Sequence, residues 1–210
     1  MAARAVAAPR RRRVVGSHGA DPRALPARAG TLPLGVIRVA DPRPQVALTF
    51  DDGPDPRFTP AILAILHRAR VPATFFVLGR FARDHPRLVR EERSMGFEVE
   101  CHGWVHRSMA AAPPGQVLAA VGACRREIHA LTGRMPGLAR PAYGLLTAAA
   151  TERLEKAGVR VVYWNVDFAG REPNPERAAS STARRVLPGS IVLLHDGRSD
   201  RSCVVAASHP

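Results

Sequence analysis

Along this chain, short apolar runs alternate with longer stretches in which apolar residues recur every three or four positions. The short runs read as strands and the longer ones as helices with one buried side. From residue 46 the order is a strand at 46–50, then a helix at 59–70 carrying Ile62, Leu63, Ile65 and Leu66 on one side. Thr59-Pro60 reads as the cap and first turn of that helix. A buried strand at 73–78 precedes a helix at 80–95, which Pro86 interrupts or restarts. A strand at 97–101 leads to a helix at 114–131, with Val117, Leu118, Val121, Ile128 and Leu131 on its apolar side. A short extended piece at 137–140, a helix at 147–157 stopped by Gly158, and a strand at 160–166 follow. A helix at 175–187 and an apolar strand at 190–194 complete the pattern.

Strands alternating with helices predict an α/β fold, a parallel sheet with helices outside, open or closed into a barrel. The polar residues favour the barrel. Asp51-Asp52, His102, Arg140, Asp167 and His195 each follow the C-terminal end of a different strand, the rim from which parallel barrels assemble their sites. After His195 only residues 203–207 are apolar, too few for a further helix and strand. Residues 1–44 are rich in Pro, Arg, Ala and Gly without periodicity and read as a basic, poorly ordered leader, with a short extended piece at 34–39. Residues 45–210 read as one α/β domain that carries all of these rim residues.

Composition narrows this picture only a little. The chain has 210 residues, 46% of them hydrophobic, enough for one domain with a real core. The net charge of +13 is arginine-driven, since Lys156 is the only lysine. Nine arginines and two aspartates lie in residues 1–45, but no aromatic residue lies there to stack on bases, so no specific nucleic acid is expected. No segment is apolar and long enough to span a membrane, and no apolar run follows Arg10–Arg13 to make a signal peptide. Cys101, Cys124 and Cys203 form neither a disulfide framework nor a Cys-x-x-Cys metal pattern.

The chemistry concentrates in Thr49-Phe50-Asp51-Asp52-Gly53-Pro54. Two adjacent carboxylates at a strand tip repel each other, and aspartate is a poor strand former. The pair makes sense if one carboxylate holds a metal ion and the other handles a proton. His102 and His106, four apart, supply two imidazoles. On a helical turn they face one ion, and with a carboxylate they leave positions for water and substrate. Two histidines four apart are often coincidence on a solvated turn; the aspartate pair upstream argues against that here.

The motifs together resemble the polysaccharide deacetylase family, the NodB-type domain of carbohydrate esterase family four. The resemblance runs from about Val46 to Gly197 and rests on the intact TFDDGP at 49–54, on HGWVH at 102–106, on Arg140-Pro141-Ala142-Tyr143-Gly144, and on Leu193-Leu194-His195. The phrase ATFFVLG at 73–79 resembles the family's second strand. The chain departs from the family in Gly103 for a hydroxyl residue, in Ala142 for a proline, and at Asp167-Phe168-Ala169-Gly170-Arg171, where a second Asp and a Trp are expected.

The resemblance implies a distorted barrel of seven or eight parallel strands, here lacking the last strand–helix unit that the family carries after its final motif, and removal of acetyl groups from sugars with one divalent metal, zinc first, cobalt or nickel also fitting. It implies Asp52, His102 and His106 as metal ligands, Asp51 as general base, Arg140 as its holder, the Tyr143 N–H facing the oxyanion, and His195 as general acid. Leu193 lines a pocket for the acetyl methyl or belongs to the core. Trp104 stacks on a sugar face or packs inside, with packing favoured. Gly170 leaves His195 without its expected carboxylate, with Asp167 or Asp196 as substitutes. The substrate expected is an N-acetylated glycan of peptidoglycan or chitin type. An O-acetyl xylan-type esterase and a non-catalytic glycan-binding remnant are the alternatives. A secreted or cell-surface setting also follows from the resemblance alone.

Overall fold

The computed structural model describes residues 4–5, 35–39, 45–168 and 172–207. Most of the leader, and Gly170 with its neighbours 169 and 171, lie outside the described residues. The strands are β1 (Arg4–Ala5), β2 (Gln45–Asp51), β3 (Thr74–Val77), β4 (Glu98–Cys101), β5 (Leu138–Ala139), β6 (Arg160–Val161), β7 (Val166–Asp167) and β8 (Ile191–His195). The helices are α1 (Thr59–Ala69), α2 (Gly79–Asp84), α3 (Pro86–Ser94), α4 (Pro114–Thr132), α5 (Ala148–Lys156), α6 (Pro175–Ala183) and α7 (Ser202–Ala207). Seven strands pair in parallel in the order β6-β5-β4-β3-β2-β8-β7, a curved half-barrel, and β1 pairs with the start of β2.

The period-two alternation of strand residues decides where the site can lie. Phe50, Phe75, Val77, Val99, Cys101, Ala139, Val192 and Leu194 join the helices in the main apolar cluster. Residues between them face the other way: Ala47, Phe76 and Ile191 form a second cluster with Val36 and Val162. Continued to the strand ends, this alternation puts Asp51, His102, Arg140 and His195 on the concave face. Asp51 and His195 are register partners on adjacent strands.

Two expectations change, and the alternatives at Pro86 resolve to a restart. The run 160–166 is not one strand. Val162 bridges Val36, and the Asn165 side chain accepts from Ile191 N at 2.8 Å and donates to Ser190 Oγ at 3.2 Å. Those bonds carry the chain across from β6, paired with β5, to β7, paired with β8. Thr59 is not the cap of α1. Its hydroxyl accepts from Asp55 N at 2.8 Å and donates to Asp196 Oδ2 at 2.6 Å, and Phe58 takes the cap position. The stretch 80–95 is two helices, with Pro86 opening the second, where its missing N–H costs nothing.

The extended piece at 34–39 is present as 35–39. Val36 N donates to Val161 O at 2.9 Å, Tyr163 N to Val36 O at 2.7 Å, and Val39 N to Gly189 O at 2.9 Å. This segment spans the gap between β6 and the start of β8. After β8 the described chain adds α7, which packs on α6. Among the described residues no helix is long and apolar enough to cross a membrane.

Candidate active site

The site is built on Arg140. Its side chain is fully buried and comes off the end of β5. Nη1 donates to Asp51 Oδ1 and to Thr49 Oγ1, each at 2.8 Å. Nη2 donates to Tyr163 O at 3.0 Å and Nε to Val162 O at 3.3 Å. The guanidinium lies 4.2 Å over the Phe76 ring. Burial works against its charge and Asp51 supports it. With Oδ1 of Asp51 committed, Oδ2 is the oxygen left toward the cleft, 3.8 Å from His102 Nε2.

The Arg140 carbonyl also serves the site. It lies 2.8 Å from His102 Nδ1. A carbonyl only accepts, so Nδ1 carries the proton and Nε2 presents its lone pair, the arrangement that orients a metal-binding histidine. That lone pair faces Asp52 Oδ1 at 3.5 Å, and His106 Nε2 faces the same oxygen at 3.6 Å. Asp52, His102 and His106 each bring one ligand atom within 4.8 Å of the others.

Asp52 Oδ1 is buried without a hydrogen-bond partner. Burial opposes its charge, yet the surrounding histidines, His102 first, then His195 and His106, hold its pKa down at about 2. An ionised, unbonded oxygen between two imidazole nitrogens fits a cation, and the Asp/His₂ donor set fits zinc.

The histidine pair does not sit on a helix. Residues 102–106 form a bent loop after β4. Gly103 takes φ 91, which a serine or threonine adopts only with strain, so the glycine in place of a hydroxyl residue follows from this turn. The loop is pinned because Gly103 O and Trp104 O accept from Gly79 N at 2.9 Å and Arg80 N at 3.0 Å, the free donors of the first turn of α2. Trp104 is carried away from the metal cluster: its ring packs on Gly79 and Arg83 lies 5.1 Å over it. Tyr143 is exposed and left-handed (φ 62), and its ring meets His106 edge-on at 4.4 Å.

Beside these, Asp52 (φ 78) turns the chain at the tip of β2. The turn closes against the loop after β8. A Cβ on Gly53 would lie 2.1 Å from Asp196 Oδ2, and one on Gly197 would lie 2.2 Å from Asp52 O. Glycine at both places is a requirement of close approach. Leu193 is buried beside Thr49, and His195 stands opposite Asp51. Burial lowers the pKa of His195, against Asp51 and Asp52, which raise it. Asp196 accepts from Thr59. Asp167, opposite Leu193, is within electrostatic reach of His195.

The structure adds residues to which the sequence reading gave no role. Thr49 shares Arg140 with Asp51. Trp164 packs on Gly144 and lies 5.5 Å from the Arg140 guanidinium. Arg198 Nη1 lies 3.5 Å from Asp52 Oδ1, and Arg201 Nη2 3.6 Å from Asp52 Oδ2. Only Thr49 carried a readable signal, two positions before Asp51 on the same strand face; the two arginines are lost among many.

Residues 38–162 match the polysaccharide deacetylase family. A chitooligosaccharide deacetylase from Bradyrhizobium sp. (strain ANU 289) is 39% identical over 168 residues, covering 78% of this chain and 77% of that protein. The solved Bc1960 peptidoglycan N-acetylglucosamine deacetylase is 29% identical with a TM-score of 0.75, over 78% of this chain and 77% of its own. A family 4 carbohydrate-esterase pseudoenzyme from Bacillus anthracis is 25% identical with a TM-score of 0.71, over 77% of this chain and 57% of its own. The chain belongs to the polysaccharide deacetylase family, hydrolases of acetylated glycans.

Proposed function

We propose that this protein hydrolyses the acetamido group of N-acetylated sugars in a chitooligosaccharide- or peptidoglycan-type glycan, with one divalent ion, zinc first, on Asp52, His102 and His106. The observation that carries this reading is the ionised Asp52 Oδ1, between two imidazole nitrogens and without a hydrogen bond, with a second carboxylate locked beside it. The relatives that act on N-acetylated glycans support the substrate class.

A divalent ion so held supplies a water of lowered pKa and draws electron density from the acetyl carbonyl. The chain's own residues do the rest. Asp51 takes the water proton on Oδ2 as the water oxygen bonds to the acetyl carbon, while Arg140 fixes Oδ1 and so the direction of the carboxylate. The Tyr143 N–H faces the developing oxyanion. His195, across from Asp51, gives its proton to the sugar nitrogen as the carbon–nitrogen bond breaks, leaving acetate and an amine. Leu193 supplies an apolar wall for the acetyl methyl. Tyr143 also steadies His106 through its ring.

Acetate release from an N-acetylated chitooligosaccharide, lost on chelation and restored by zinc, is the expected result. No acetate from chitooligosaccharide or peptidoglycan at any metal loading would refute the reading. A non-catalytic glycan-binding protein is the second reading, favoured by the likeness to a pseudoenzyme; bound metal without acetate release identifies it.

A further inference from the structure

We propose that Arg198 and Arg201 form a carboxylate-recognition pair at the lip of the site, selecting acetylated glycans whose sugars bear carboxylates over neutral chitin-type chains. The proposal rests on the deacetylase reading for the reaction, but not for binding. Both arginines come from the loop after β8. Arg198 has left-handed backbone (φ 70). Arg201 Nε donates to Gly197 O at 2.8 Å, which orients its guanidinium. Each guanidinium touches one edge of Asp52, and the side chains remain 34% and 20% exposed. They therefore sit between the metal ligand and solvent.

Charge balance gives the pair its meaning. Two carboxylates, Asp51 and Asp52, meet three guanidiniums, Arg140, Arg198 and Arg201. One positive charge is in excess, and a divalent ion on Asp52 raises the excess to three. Of the nearby acids, Asp55 is held by Arg57 at 2.7 Å and Asp196 by Thr59 at 2.6 Å, while Asp200, bonded to the Ser202 hydroxyl at 2.6 Å and within electrostatic reach of Arg201, offsets one of these charges and still leaves a positive excess with the ion bound. A cleft with surplus positive charge draws anions, and the planar fork of arginine matches a carboxylate. An arginine offers five N–H donors, so contact with Asp52 leaves donors for a ligand. The +13 charge of the whole chain favours approach of an anionic polymer.

The test is titration calorimetry with the zinc-loaded Asp51→Asn protein, which binds glycan without turning it over. The probes are N-acetylchitotetraose and a tetrasaccharide alternating N-acetylglucosamine with N-acetylmuramic acid, whose lactyl groups are carboxylates. The muramyl chain is expected to bind about tenfold tighter or more, the worth of one charge-assisted hydrogen bond. The preference shrinks at about 0.5 M salt and disappears when Arg198→Gln and Arg201→Gln are added. Each single variant is measured too, so a fold defect in the double variant does not decide the matter. Equal affinity for the two probes, or a preference that survives in both single variants, overturns the proposal. Wild-type acetate release from the same two glycans separates this outcome from the reaction. Equal kcat/KM on both refutes the arginine pair and leaves the deacetylase reading standing. No release from either refutes the reaction, and the binding ratio still decides the pair.

Discussion

Replacing Glu92 with leucine should stabilise this protein, and by more as pH rises. Glu92 and Val89 are the buried residues of α3, and Glu92 is wholly buried with neither carboxyl oxygen hydrogen-bonded. Its neighbour in charge is Asp196, also wholly buried, which has one oxygen bonded to Thr59 and the other bare. Burial first, then the Asp196 charge, push the Glu92 pKa well above the carboxylate range. Burial likewise raises Asp196 to about 7, with Asp52 and Asp51 adding to it and the Thr59 bond opposing.

Both carboxyls therefore hold their protons more tightly folded than unfolded. Their contribution to stability is complete below about pH 4 and is lost as pH rises, for Asp196 through about 7. An unpartnered buried acid costs about 1–3 kcal/mol even when neutral. At about 2–4 °C per kcal/mol for a domain of this size, Glu92→Leu should raise Tm by about 2–12 °C at pH 5. The gain should be larger at pH 8, where the wild type must also suppress or accommodate ionisation. Calorimetric melting at the two pH values checks this. A variant less stable than wild type at both, or a gain that does not change with pH, would refute the reasoning.

Other consequences follow from the site itself. Arg140→Met removes the partner of buried Asp51 and strips two carbonyls of their donor, so it should cost about 3–5 kcal/mol in denaturant unfolding. If His195 is the general acid, its lowered pKa places the alkaline limb of the kcat/KM profile below pH 6.5, because the protonated form must act; a limb above 7 contradicts this. Arg198→Gln takes a cation from beside Asp52 and should tighten zinc binding by a few-fold to about tenfold, read by competition with a chelating indicator; weaker binding contradicts it.

The fold was legible where periodicity was strong. The alternation that buries Phe50 and Phe75 against the helices also determines that Asp51 faces inward, and both can be read from residue order. The break between β6 and β7 was not legible, because it is made by the Asn165 side chain bonding to a strand distant in sequence. Of the site, the Asp52, His102 and His106 cluster was visible in motif spacing, although a helix was the wrong reason for it. A bent loop held by α2 does the work. Trp104 left two readings open by its place between the histidines, with packing favoured, and the left-handed Gly103 turns the loop so that the indole packs on Gly79. Glu92 was hidden beside Glu91 in a charged stretch; its spacing of three from Val89 is the signal that it shares the buried side.

The division of labour between adjacent aspartates is the core of this account, and one paired measurement addresses it. Acetate release from an N-acetylated chitooligosaccharide is assayed beside bound zinc per chain for wild type, Asp51→Asn and Asp52→Ala. The account predicts that Asp51→Asn keeps its zinc and loses about a hundredfold or more in kcat, as the removal of a general base does, while Asp52→Ala loses both. Zinc lost equally from both variants, or Asp51→Asn turnover within about tenfold of wild type, would contradict it.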